Sequence, residues 1–227
     1  MLNAQELVRN PACADAEVVR RVLAGEVALF EVLLRRHDTR VYRTVRSILR
    51  DEDEAEDAMQ AAWVRAYQHL GEWAGASAFS TWLVRIAANE ALGRLRKRSR
   101  LVPVEDEADD EGGIMDPRAV DPEERAAAHE AVQLLERAVD GLPAPYRSVY
   151  VLREMEQLST AETAEALGLG EEAVKVRLHR ARGMLRRALG EVLDRAAPEA
   201  FPFLAPRCNR MVERVMTAIA ALPPGVA

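Results

Sequence analysis

The chain of 227 residues is poor in aromatic residues and cysteine, and it contains no long apolar run. Phe, Trp and Tyr together make up 5% of the sequence, whereas Ala, Leu, Arg and Glu dominate, a composition that favours helix over sheet. No apolar run approaches the roughly 18 residues of a membrane span, and the first residues lack the apolar core of a signal peptide. These absences predict an all-α protein of the cytoplasm.

Residue types that carry redox, metal or nucleophilic chemistry are also scarce. Cys13 and Cys208 lie at opposite ends of the chain, and the four histidines are scattered, so neither a disulfide nor a ligand or catalytic spacing emerges. The segment GLGEEAVK lacks the Gly-Lys-Ser/Thr of a phosphate-binding loop. The acidic run at residues 51–57 lacks the turn glycine of a calcium-binding EF-hand. We therefore expect no catalytic residue, no metal site and no cofactor.

Changes in composition and apolar periodicity divide the chain into two helical blocks. Apolar residues recur at helical spacing through most of the first hundred residues, with a glycine-containing loop near residues 71–78. Residues 101–124 contain three prolines, two glycines and many acids with little periodicity, which is typical of a flexible linker. The sequence thus predicts segments 1–24, 25–100, 101–124, 125–192 and 193–227: an N-terminal segment with a first helix, a domain, an acidic linker, a second domain and a C-terminal tail with a short helix.

A helix-turn-helix is predicted in the second domain. Ser159 followed by Glu162 is the capping-box pattern, and the short helix that it starts ends at Gly168. After a Gly-Leu-Gly turn, a longer helix is expected from Glu171 to about Leu189. At about 100° per residue, one side of this longer helix is apolar and faces the core. That apolar side consists of Val174, Leu178, Ala181 and Leu185.

The longer helix also concentrates positive charge in a chain whose net charge is −6. The stretch VKVRLHRARGMLRR carries six basic side chains. A helix in a DNA major groove needs outward residues that reach base edges and flanking arginines that reach phosphates. The alternative is a basic helix that merely faces solvent, but the capped helix and glycine turn before it favour DNA contact.

A second basic run, RIAANEALGRLRKRSR, occupies residues 85–100 and follows Trp73, Phe79 and Trp82. Aromatic rings beside basic side chains suit opened nucleic acid, because bases stack on the rings while arginines follow the backbone. The alternative is that Phe79 and Trp82 belong to the core. In the acidic run, capping explains Asp51 to Asp53, whereas Glu56, Asp57 and Gln60 indicate a surface for a basic protein partner.

Three segments together resemble the sigma-70 family of bacterial RNA polymerase initiation factors, specifically its small extracytoplasmic-function (ECF) group. DEDEAEDAMQAAWVRAY resembles the region 2 helix that binds the polymerase clamp. FSTWLVRIAANEALGRLRKR resembles the region that melts and reads the minus-ten promoter element. YRSVYVLREMEQLSTAETAEALGLGEEAVKVRLHRARGMLRRAL resembles region 4, which reads the minus-thirty-five element and docks on the polymerase flap. The match runs from about residue 25 to 189.

The resemblance implies a fold, a function and partners. The fold would be two small helical domains, region 2 and the region 4 helix-turn-helix, joined by the acidic linker. The function would be to bind core RNA polymerase and direct it to promoters, with core polymerase and promoter DNA as partners and an anti-sigma factor as a further candidate. A stand-alone helix-turn-helix regulator is the alternative. In the tail, Met211, Val212, Val215 and Ile219 predict a short helix that packs against region 4; a role in folding back on the domains or in serving a regulator stays open.

Site residues follow from the resemblance by position. Those that would bind core polymerase are Asp53, Glu56, Asp57 and Gln60. Those that would bind minus-ten DNA are Trp73, Ser77, Phe79, Trp82, Arg85, Asn89, Arg94 and Arg96. Those that would bind minus-thirty-five DNA are Glu172, Lys175, Val176, Arg177, His179, Arg180 and Arg182.

Overall fold

The structure is a computed structural model that describes residues 14–75, 77–101, 124–189, 203 and 205–223. Cys13 and nearly all of the predicted linker lie outside these residues. The described residues form helices and short helical turns without a strand, so the predicted all-α class is confirmed. The helices are α1 (Asp15–Leu23), α2 (Phe30–Leu49), α3 (Glu52–Gln68), α4 (Phe79–Leu101), α5 (Glu124–Asp140), α6 (Ala144–Tyr150), α7 (Thr160–Leu167), α8 (Glu171–Leu189) and α9 (Ala205–Ala220).

The chain forms two compact units. The first unit comprises residues 1–93 together with 203–227, and the second comprises residues 94–202. Among the described residues, no helix combines the length and the apolar character that crossing a bilayer requires.

The core of the first unit lies between α2 and α3. The ring centroid of Phe30, at the start of α2, lies 5.8 Å from that of Trp63 and 5.2 Å from that of Tyr67, and both contacts are edge-to-face. All three side chains are buried, and such aromatic pairs stabilise a core beyond their apolar area. The predicted apolar faces in this part of the chain are confirmed, because the following side chains are buried: Val41, Val45, Ile48, Met59, Trp63, Ala66, Tyr67 and Leu70.

In the second unit, the predicted helix-turn-helix is present with its capping box. The Ser159 hydroxyl accepts a hydrogen bond from the backbone N–H of Glu162 at 3.1 Å, and the Glu162 carboxylate accepts one from the backbone N–H of Ser159 at 2.7 Å. Gly168 ends α7 in the left-handed region at φ +65°, where a Cβ would add strain. The predicted core face of α8 is confirmed: Val174, Leu178, Ala181 and Leu185 are buried.

A buried arginine joins α5 to α6 in the second unit. The guanidinium of Arg147 is almost fully buried and donates to the carbonyl of Leu142 at 3.0 Å and to that of Asp140 at 3.5 Å. These carbonyls lie at the end of α5, where helix carbonyls lack partners within the helix. The positive charge thus stabilises the turn that positions α6 against α8.

The tail helix α9 packs on α2 and α3 of the first unit. The prediction that it packs against region 4 was therefore wrong. The apolar stripe itself was predicted correctly, since Met211, Val212, Val215 and Ile219 are buried. An amphipathic pattern shows that a helix face must be covered, but the pattern does not show which apolar surface covers it. Here the arginines of α9 find carboxylates on α3, and this pairing favours the first unit.

Candidate polymerase and nucleic-acid surfaces

The amino end of α3 presents a cluster of acids. The Asp51 carboxylate caps the helix by accepting a hydrogen bond from the backbone N–H of Glu54 at 2.8 Å. The acidic side chains of the first turn stabilise the helix further through their interaction with the positive end of its dipole. Asp53 is exposed in this first turn. Glu52, Glu56 and Asp57, here called the acidic face, lie along the part of α3 that α9 approaches.

Two arginines of α9 bind the acidic face. Arg207 donates from Nε to the Glu56 carboxylate at 2.8 Å, and its Nη1 lies 3.6 Å from the carboxylate of Glu52. Arg214 donates to Asp57 at 2.7 Å, and a second nitrogen lies 3.9 Å from Glu56. Two residues expected to bind polymerase are thus already ion-paired within the chain.

The exposure of the expected polymerase residues differs along α3. Asp57 is exposed, as expected, but Gln60 is only half-exposed. Gln60 lies one turn after Glu56 and hence about 40° from it around the helix, on the part of α3 that carries the ion pair with α9. Both residues stay in the proposed polymerase surface, with Gln60 offering the smaller accessible area.

The loop before α4 is closed by a tryptophan. The indole N–H of Trp73 donates to the carbonyl of Ser77 at 3.1 Å, so that the ring bridges the loop that contains Gly75 at φ +73°. Phe79 is 2% exposed, and its ring lies 5.5 Å from Trp73 and 5.6 Å from Trp82. Direct stacking of a base on Phe79 does not fit this burial; Phe79 supports the two partly exposed tryptophans instead.

The basic run of α4 is divided between two sides of the helix. At about 100° per residue, Trp82, Arg85, Asn89 and Arg96 lie within about 60° of one another. Asn89 and Arg96 are exposed, while Trp82 and Arg85 are half-exposed. Arg94 lies about 140° from Asn89. The expected minus-ten residues of α4 therefore form one continuous strip without Arg94.

The outward side of α8 carries the residues expected to bind minus-thirty-five DNA. Glu172, Lys175, Val176, His179 and Arg180 are exposed, as is Arg182, whereas Arg177 is half-exposed. Val176 is 49% exposed, and thymine methyl groups are the apolar feature that such a side chain can contact in a major groove. The Lys175 ammonium donates to Glu172 at 2.5 Å, and this hydrogen bond raises the pKa of Lys175.

Two arginines of α8 have partners that the sequence did not reveal. Arg180 donates to the hydroxyl of Tyr146 at 3.2 Å, and Arg182 donates to the Glu154 carboxylate at 2.8 Å. Both partners lie about thirty residues earlier, and no local spacing connects them to α8. The seven-residue separation of Arg207 and Arg214, by contrast, is a visible signal of one charged edge on a helix.

Two family models match the chain in order. The model for sigma-70 region 2 matches residues 33–101, which include α3 and α4. The model for sigma-70 region 4 matches residues 132–185, which include the helix-turn-helix.

Curated proteins of the same group resemble most of the chain. The ECF RNA polymerase sigma factor SigM of Mycobacterium tuberculosis (strain ATCC 25618 / H37Rv) is 36% identical over 179 residues, which cover 78% of this chain and 85% of that protein. The RNA polymerase sigma-H factor of Pseudomonas aeruginosa is 30% identical over 187 residues, with 80% and 97% covered.

A solved structure shares the fold. The sigma factor RpoE of Bartonella quintana, solved in complex with the anti-sigma factor NepR, matches with a TM-score of 0.50 and 24% identity over 74% of this chain and 96% of that chain. From the two family models and the identity to curated members, this chain belongs to the ECF group of the sigma-70 family of RNA polymerase sigma factors.

Proposed function

We propose that the protein is a sigma factor that binds core RNA polymerase and directs promoter-specific initiation of transcription. The observation that carries this proposal is the match of regions 2 and 4 in order along one chain, combined with a capped helix-turn-helix whose second helix has a basic outer side. The protein would act beside polymerase in the cytoplasm, as a specificity subunit without chemistry of its own. The alternative of a stand-alone regulator is not favoured by the relatives, which are named as sigma factors.

Three surfaces divide the work. Asp53, Glu56, Asp57 and Gln60 would contact the polymerase clamp. The loop tryptophans and the strip on α4 would hold the opened minus-ten strand, because exposed rings stack on bases and cations follow the phosphates. The outer side of α8 would read the minus-thirty-five element in the major groove. Net negative charge limits binding to DNA by the free protein, since nonspecific affinity comes mainly from phosphate neutralisation.

In vitro transcription with purified core polymerase tests the proposed function. Adding the protein is expected to produce transcripts from defined starts on a promoter library, whereas core alone should give none at those starts. A stand-alone regulator would instead bind a pseudo-palindromic site as a dimer in the absence of polymerase. That result, together with no specific start in the presence of core, would reject the proposal.

Replacing Asp57 and Gln60 together by alanine is expected to weaken binding to core polymerase. Losing two polar contacts at about 0.5–1 kcal/mol each lowers affinity by a factor of roughly 5–30. The variant should keep its helical content, because neither side chain is buried. Competition for core against a labelled wild-type chain measures the effect. Glu17→Ala, which removes an exposed acid from α1, is the matched control and should leave the affinity unchanged; equal affinities for all three chains would contradict the assigned surface.

Replacing Asn89 by alanine is expected to relax the sequence preference for the opened minus-ten strand. Asn89 is exposed on the α4 strip, where an amide can hydrogen-bond to a base edge. Holoenzyme binding to single-stranded minus-ten oligonucleotides with one base varied at a time measures the preference. Arg94→Ala is the comparison, because Arg94 lies off the strip and its loss should leave the sequence preference unchanged. If wild-type holoenzyme binds every oligonucleotide equally, α4 contacts only the phosphate backbone and reads no base.

A further inference from the structure

The tail helix α9 and the polymerase require the same carboxylates of α3. We propose that α9 is an intramolecular competitor that occupies the polymerase-binding surface of the first unit and must leave the acidic face when core polymerase binds. This inference rests on the proposed function, because it uses the assignment of α3 to polymerase contact. It adds that the free protein holds this surface closed with a segment of its own.

Overlap of the two binding sites is the first argument. Glu56 and Asp57, two of the four residues assigned to polymerase, are the residues that pair with Arg207 and Arg214. Each of these carboxylates already accepts from a guanidinium at 2.7–2.8 Å, so a cation of another protein must either share the carboxylate or displace the arginine. The half-burial of Gln60 agrees with this overlap.

The second argument is that α9 is firmly seated beside the acidic face. Cys208, Met211, Val212, Val215 and Ile219 are buried along its inner side. Phe203 packs against Tyr42 of α2 with ring centroids 4.9 Å apart. The Arg207 guanidinium lies over both rings, 4.7 Å from the centroid of Tyr42 and 5.3 Å from that of Phe203. Stacking on the two rings holds the Arg207 guanidinium next to Glu56. The position of α9 over the acidic face of α3 is therefore well defined.

The third argument concerns exchange. Asp57 is 60% exposed and Arg214 is 41% exposed in their ion pair, and ion pairs this accessible contribute little to stability. Cations of a partner can therefore replace Arg214 at small cost, whereas Arg207, whose ion pair with Glu56 is 23% exposed on both sides, is the stronger anchor. The face fits a helix that presents two cations seven residues apart, or about 10.5 Å along its axis, as α9 does. A basic helix of polymerase with the same spacing of cations would meet the same requirement.

Only molecules in which α9 has left the acidic face can bind core polymerase. The apparent affinity is therefore the intrinsic affinity multiplied by the fraction of molecules in that state. Weakening the docked state raises that fraction without touching the acids that polymerase uses. Substitutions in α9 alone are thus expected to strengthen binding to core, which is the opposite of what removing a structural element would do.

The double variant Arg207→Ala/Arg214→Ala in the full chain tests the inference through its affinity for core polymerase. We expect the affinity to rise about three- to tenfold. Arg210→Ala removes one positive charge from an exposed position of α9 and serves as the control, with no change expected. An unchanged or weaker affinity of the double variant, with wild type binding normally, overturns the inference alone. If neither chain binds core, the proposed function fails, and the competition with it.

A second measurement follows α9 directly and needs no change in its arginines. The Cys208 thiol is buried against α2, and burial raises its pKa to about 12, with a hydrogen bond to Asp38 adding to the rise. Alkylation of the docked thiol is therefore slow, because the thiolate is the reactive form. In a Cys13→Ser chain, the alkylation rate of the Cys208 peptide, read by mass spectrometry, should rise about tenfold or more on adding core. The same rate with and without core would show that α9 stays in place and would overturn the inference.

Discussion

Replacing Trp63 by alanine is expected to destabilise the first unit by about 3–5 kcal/mol, the range for truncating a fully buried aromatic side chain. Trp63 is 0% exposed and packs edge-to-face on Phe30, which also contacts Tyr67. Alanine would leave a cavity between α2 and α3, and interiors packed this densely close such cavities only in part. Since α3 carries the acidic face, unfolding of the first unit should also abolish binding to core polymerase.

Trp63→Phe is the matched control for this prediction. The indole nitrogen of Trp63 is buried without a hydrogen-bond partner, and an unpaired buried donor lowers stability. Phenylalanine removes that donor and keeps the edge-to-face contact with Phe30, so its cost should be well below that of alanine. Urea unfolding followed by far-UV circular dichroism should show the transition of the first unit moving to lower urea in Trp63→Ala, with that of the second unit unchanged. Equal losses in both variants would contradict the cavity argument.

Most of the local structure could be predicted from the sequence, because local patterns determine it. The capping box at Ser159 and the core face of α8 depend on residues within a few positions of one another, and both are confirmed. The buried stripe of α9 was predicted for the same reason. The surface that this stripe covers was not, because the apolar faces of both units produce the same kind of periodic pattern.

The sites were predicted less completely than the helices. Aromatic residues near basic ones indicated a base-binding surface, but composition could not separate the buried Phe79 from its partly exposed neighbours Trp73 and Trp82. The division of α4 into a strip and the opposite side follows from helix geometry once its register is known. The long-range partners Tyr146 and Glu154 carry no local signal at all. They matter because they alter what the arginines of α8 do before DNA binds.

Arg180 and Arg182 of α8 are expected to play different parts in promoter binding. Arg180 lies on the outward side, and its hydrogen bond to the Tyr146 hydroxyl holds the guanidinium beside the helix. Arg182 lies on the flank, and its ion pair with Glu154 is partly exposed, at 44% for the arginine and 27% for the glutamate. A DNA phosphate must therefore displace Glu154 from Arg182 or share the guanidinium with it. This competition reduces what Arg182 adds to DNA affinity. The first arginine would read a base edge and the second would contact the backbone.

We expect Arg180→Ala to cost about 1–3 kcal/mol at one position of the minus-thirty-five element and to change which base is preferred there. Arg182→Ala should weaken all sequences alike and lower the slope of affinity against salt by about one unit. Glu154→Gln is the converse control: it frees Arg182 and removes a negative charge, so affinity should rise equally for every sequence. Holoenzyme binding to a set of minus-thirty-five variants at several salt concentrations separates these outcomes. The same sequence-independent loss in both arginine variants would mean that the two sides of α8 have been assigned incorrectly. Losing a base contact should weaken binding most for the sequences that contain the preferred base.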